Sequence, residues 1–104
     1  MIKMETQTIQ FQKQLTKKGY IRINIEGIWI LEHKYIVERH IGRELTKDEV
    51  VHHINNIKTD NRISNLMLFK NQSEHRKFEN KLKQFGWTKP IINQVIHRWD
   101  EHFI

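Results

Sequence analysis

The chain has 104 residues, with 18 Lys+Arg against 12 Asp+Glu, seven His and a formal net charge of +6. It contains no cysteine, which excludes disulfide frameworks, thiolate zinc sites and thiol nucleophiles, and no apolar run approaches the roughly 20 residues of a membrane span. A single small domain of this size buries only about two-thirds of its unfolded surface and tends to lean on a metal, a partner or a ligand, while the basic excess points to a polyanion, nucleic acid first.

Residues 1–18 are polar, with sparse apolar positions at Ile9, Phe11 and Leu15. They read as an arm or a loose strand, whose Lys13, Lys17 and Lys18 suit a phosphate backbone as well as open solvent. The opening Met1-Ile2-Lys3-Met4-Glu5 lacks the apolar stretch of a signal peptide, so a cytoplasmic location is expected. From Tyr20 to Ile25 apolar and polar residues alternate, Glu26-Gly27 forms a turn, and Ile28 to Leu31 returns, which predicts a β-hairpin. The period then changes. A helix is predicted over about 32–41, ended by Gly42. It carries His33 and His40, seven apart, which read as packing or phosphate-contact residues, with His33 also able to approach a site from this helix.

Thr46 with Glu49 three residues later has capping-box form, but the apolar run that follows limits it to a single turn. Val50–Ile54 reads as a strand, Asn55–Ser64 as a long polar loop, and Leu66–Phe69 as a second strand. A helix capped by Ser73 or a neighbour follows, with Phe78, Leu82 and Phe85 on its apolar side and Gly86 at its end. A last helix over 88–103, capped by Thr88 with Pro90 in its first turn, shows Ile91, Ile92, Val95, Ile96, Trp99 and Phe103 as an apolar stripe, either core or a partner face. The chain is thus expected to be one domain over 1–104, with its chemistry in 50–80.

That chemistry centres on three histidines. His52 and His53 are adjacent on a strand and so point to opposite faces, free for two different jobs. His75 falls in the first turn of the next helix, and strand, loop, strand and helix fold back within about 30 residues, bringing one strand histidine beside it. Asn65 stands twelve residues after His53 and ten before His75.

The run His52-His53-Ile54, then Lys58-Thr59-Asp60-Asn61-Arg62-Ile63-Ser64-Asn65-Leu66, then Ser73-Glu74-His75 closely resembles phage-type members of the HNH endonuclease family. Glu32 to Glu38 and Gly42-Arg43-Glu44-Leu45 resemble the lead-in that such proteins carry, so the resemblance covers about residues 19–80. It implies an α+β fold: a ββα-metal module preceded by a β-hairpin and helix and followed by a C-terminal helix. It implies a metal-dependent DNA endonuclease, in which His53 is the general base that takes a proton from the attacking water. Asn65 would be the residue whose carbonyl orients that imidazole, and His52 and His75 would hold one divalent metal. Asn61 and Glu74 are secondary candidates. Lys58, Arg62, Arg76 and Lys77 are the expected DNA contacts, with Lys70 and Lys81 nearby. The expected products carry 5′ phosphate and 3′ hydroxyl, and one site per chain makes a nick.

The chain departs from the family pattern in two places. Many relatives have Asp or Glu at the position of His52, and an Asp-Gly after the pair where this chain has Asn55-Asn56. An all-histidine protein ligand set is neutral and soft enough to accept Zn, Ni, Co or Mn as well as Mg. The expected partners are DNA, no membrane and, as options, a homodimer or a phage partner protein, in a phage- or prophage-encoded product with a homing or packaging role. Two other readings stand beside this one. One is a catalytically weak or inactive DNA-binding module with a His-bound structural metal. The other is an interaction protein that uses Trp87, Trp99 and the Ile stripe.

Overall fold

In the computed structural model, residues 11–100 are described. In chain order they form β1 (Gln12–Leu15), β2 (Ile21–Ile25), β3 (Ile28–Leu31), α1 (Glu32–Ile41), β4 (Val50–His53), a 3-10 turn (Ile63–Asn65), β5 (Leu66–Phe69), α2 (Gln72–Phe85) and α3 (Lys89–Ile96). Strands β1-β2-β3 make one antiparallel sheet, and β4-β5 make a separate antiparallel pair. The architecture is the expected α+β one, with β4, β5 and α2 as the ββα unit. Ile9 and Phe103, assigned above to the arm and the last helix, lie outside the described residues.

The hairpin forms where the alternation places it. Glu26 and Gly27 both take positive φ (52° and 90°), the conformation of a type I′ turn, whose twist matches the flanking strands. The Asn24 side chain accepts from the Gly27 N–H at 2.8 Å. Alternation buries Ile23 against α1, whose Val37 is wholly enclosed. Helix α1 ends at Gly42, whose left-handed φ of 78° lets its N–H reach the Glu38 carbonyl at 2.9 Å.

The capping-box reading of Thr46 and Glu49 survives as a single turn. The Thr46 N–H donates to Glu49 Oε1 at 2.8 Å, and Arg43 forks onto both Glu49 oxygens at 2.8 Å each. Beyond it, β4 and β5 pair with His52 opposite Met67 and His53 opposite Leu66. Helix α2 lies over them. Met67, Phe69, Phe78 and Ile91 form the buried cluster, with Val50, Ile54, Leu82 and Val95 packed around it.

One helix terminus sharpens the expectation and another differs from it. Of Ser73 and its neighbours, the residue that caps α2 is Asn71, two residues earlier: its extended backbone puts Oδ1 2.9 Å from the Glu74 N–H. The last helix stops at Ile96, well short of 103, and the Thr88 side chain makes no capping bond. Arg98 accounts for the early end. Its guanidinium takes the Val95 carbonyl, which a continuing helix would need, and also the carbonyls of Leu66 (2.7 Å) and Ser64 (2.5 Å). Of the predicted stripe, Ile91 is buried, Ile92 and Ile96 are exposed, and Trp99 packs against His40. No helix among the described residues is long and apolar enough to cross a membrane.

The Arg43 fork, against a smaller opposing push from burial, and the Thr46 bonds hold the Glu49 carboxyl at about 2, below its ordinary 4.5. A depressed carboxyl contributes stability that is complete above about 4.5 and lost as pH falls toward about 2. Glu49→Gln is therefore expected to cost about 1 kcal/mol at neutral pH. Urea melts of the two proteins should converge on acidification through that window and not elsewhere.

Candidate functional site

Strand alternation sends the two adjacent histidines to opposite sides, and both are buried. The His52 ring meets His75 on α2 (centroids 4.8 Å apart) and the core rings Phe78 and Phe69 (5.8 and 6.2 Å). His53 turns the other way, toward His33 (5.1 Å) and Tyr20 (6.3 Å). His33 therefore does approach the site from α1, as packing. Burial, then the neighbouring His53 and Lys34 charges, push it down to about 4 against the opposing pull of Glu32, so it is neutral at physiological pH. One cleft brings these elements together. It is lined by Tyr20, Val51, His52, His53, Asn56, Lys58, His75 and Glu79.

The loop from Asn55 to Asn65 is shaped by side-chain amides. The buried Asn65 accepts from the Asn55 N–H (3.0 Å) and donates to both the Asn55 side chain and the Asp60 carbonyl (2.8 Å each). The Asn55 side chain also caps the Ile57 N–H at 2.9 Å, and Asn56 adopts the left-handed φ of 62° that Asn tolerates. This corrects the expectation for Asn65. Its amide is committed three times to the loop, and the side chain that reaches His53 is Asn61. Asn61 Oδ1 lies 2.6 Å from His53 Nε2, and its Nδ2 donates to Glu32 Oε1 at 2.9 Å. Glu32, at the start of α1, is in turn paired with Lys13 of β1 at 2.8 Å.

On the other face His52 Nδ1 and His75 Nε2 are 2.9 Å apart. Glu79 Oε2 lies 3.3 Å from the His75 nitrogen and 3.9 Å from the His52 nitrogen. Donors bound to one ion at about 2.0–2.2 Å sit roughly 3–3.5 Å from one another; the two separations at His75 match that spacing and the His52–Glu79 one is wider, so these three residues form a group that could hold a metal ion. Burial, and secondly His75, push His52 below its ordinary value against the opposing pull of Glu79, which favours the neutral ring that ligates metals.

Glu79 was missed from sequence, although it stands four residues after His75 on the same helix face. Glu74, the residue considered instead, is about 100° around the helix from His75 and pairs with Lys77 at 3.2 Å. The group that could hold a metal is thus two imidazoles and a carboxylate, rather than histidines alone.

The predicted basic residues are unequal. Lys58 lines the cleft, donating to the Lys18 carbonyl at 2.8 Å with its ammonium 5.0 Å over the Tyr20 ring. Arg62 forks onto Asp60 (2.8 and 2.7 Å), which holds that carboxyl far below the ordinary range. Lys77 is paired with Glu74, while Arg76 is exposed on α2.

Compared with known proteins, the chain matches over residues 31–76 a family model described as HNH endonuclease. The match takes in α1, both histidines of β4, the amide-rich loop, β5 and His75. No curated protein and no solved structure matches the chain.

The donor group makes a direct prediction. Zn or Mn at about a hundredfold excess over its Kd should stabilise the protein by about 2.7 kcal/mol, raising Tm by roughly 10 °C, and a chelator should reverse the shift. Glu79→Ala should weaken the response and Glu74→Ala should leave it intact in the same thermal melts. Equal loss in both variants would remove Glu79 from the ligand set.

Proposed function

We propose, on the premise that residues 31–76 of this chain belong to the HNH endonuclease family, that the protein is a metal-dependent endonuclease hydrolysing phosphodiester bonds in DNA. The observation that carries this reading is the single cleft. It has an imidazole on one wall, a metal-competent His52–His75–Glu79 group on the other, and a lysine at its edge.

In this reading His53 takes the proton from the attacking water, since a positioned imidazole is an effective general base near neutral pH. His33 and Tyr20 pack against its ring and limit its movement. His52, His75 and Glu79 hold one divalent ion, of which Mg, Mn, Zn, Ni and Co are candidates. When bound, the ion supplies Lewis-acid stabilisation of the charge building on phosphorus and on the leaving 3′ oxygen. The Glu79 carboxylate makes the set harder than two imidazoles alone, which favours Mn and Mg alongside Zn. Lys58 grips a phosphate beside the cut, and Arg76 extends the basic surface. Arg62 contributes less, because Asp60 already compensates its charge. With one site per chain the product is a nick carrying 5′ phosphate and 3′ hydroxyl.

The deciding experiment is conversion of supercoiled plasmid to open circles across these metals. Wild-type protein should nick, and His53→Ala should slow nicking by about 10²–10⁴-fold. Equal nicking by the variant would end the general-base assignment, and metal-dependent stabilisation with no nicking would favour a DNA-binding module with a structural metal. On the catalytically silenced background, Lys58→Ala should weaken DNA binding and flatten its dependence on log salt by about 0.9, one phosphate's worth. An unchanged slope removes Lys58 from the interface.

A further inference from the structure

Asn61 is buried between two partners of different character, the His53 imidazole and the Glu32 carboxylate. A side-chain amide has one accepting end and one donating end, so fixing either end fixes the other. Glu32 stands outside the loop, at the first position of α1. Burial raises its carboxyl, but hydrogen bonds from Lys13 and Asn61 outweigh that, and it titrates below its ordinary value. It is therefore ionised at neutral pH and can only accept.

The consequence propagates in one direction. The carboxylate requires the NH₂ end of Asn61, so the Asn61 carbonyl must face His53, where it lies 2.6 Å from Nε2. A carbonyl cannot donate, so Nε2 must carry the ring hydrogen. A neutral imidazole with its hydrogen on Nε2 has its lone pair on Nδ1. We infer that Glu32 is a positioning residue, which acts through Asn61 to fix the tautomer of His53 and so makes Nδ1 the nitrogen that accepts a proton. Lys13, bonded to the other Glu32 oxygen, steadies the carboxylate from β1. The tautomer stands on these contacts alone; its value to catalysis rests on the endonuclease reading.

The test is a long-range ¹H–¹⁵N correlation on the full-length protein, without metal, at a mildly alkaline pH where imidazoles are neutral. Wild-type His53 should show hydrogen on Nε2 and none on Nδ1. Glu32→Ala releases Asn61 to turn over, and His53 should then show a mixture of tautomers. Glu32→Gln keeps an accepting oxygen and should restore most of the wild-type pattern. Nicking should follow the same order, falling about 10- to 100-fold in Glu32→Ala and recovering in Glu32→Gln. Hydrogen on Nδ1 in the wild type would overturn the inference, and so would an unchanged tautomer in Glu32→Ala. If Glu32→Ala does not fold, the wild-type and Glu32→Gln spectra still decide. If the protein cuts no DNA, the spectra decide the inference and the endonuclease reading alone fails.

Discussion

One buried amide organises the functional half of this molecule. Asn65 ties together the two ends and the middle of the loop between β4 and β5, with three hydrogen bonds that leave its side chain nothing else to do. The adjoining backbone joins in, as the Ile54 N–H donates to the Asn65 carbonyl at 2.8 Å. A long polar loop is normally the least determined part of a small domain. Here it is clamped, and the clamp brings Asn61 under His53. Loss of Asn65 would leave the Asn55 N–H and the Asp60 carbonyl without these partners at once, so its effect would reach both the strand pairing and the imidazole.

The second constraint is the two-residue period of a strand. Neighbouring histidines cannot share a face, so β4 presents one to the hydrophobic core side and the other to the wall built by α1 and Tyr20. The first environment, buried and backed by Phe69 and Phe78, favours a neutral imidazole close to a second donor. The other supplies a hydrogen-bond partner that orients the ring. Because this group rests directly on the core cluster, an ion bound there would couple to folding.

Much of this was legible in the sequence, and what was not has identifiable causes. The hairpin, α1 and its Gly42 stop depend on local periodicity and on turn residues, which are written in the chain itself. That one histidine of the pair meets His75 follows from the compactness of strand, loop, strand and helix, and that it is His52 is what the family resemblance implies. The resemblance points to Asn65 rather than Asn61; the path of a ten-residue loop depends on which amide closes it, and spacing does not carry that information. Glu79 is readable by helical arithmetic, one turn beyond His75, whereas Glu74 would need a helix register shifted by one residue. The apolar stripe overstated the last helix, since periodicity takes no account of a distant backbone that competes for the helix's final carbonyls.

That competitor is Arg98, which donates to the carbonyls on either side of Asn65, at Ser64 and Leu66. Together with Lys13, which braces Glu32 from β1, it means that the recognisable segment is buttressed from both flanks by residues outside it. The segment is therefore not a portable cassette. Grafted alone into another scaffold, residues 31–76 would keep the histidines yet lose the two cations that set their surroundings, and a search by motif would not register the loss.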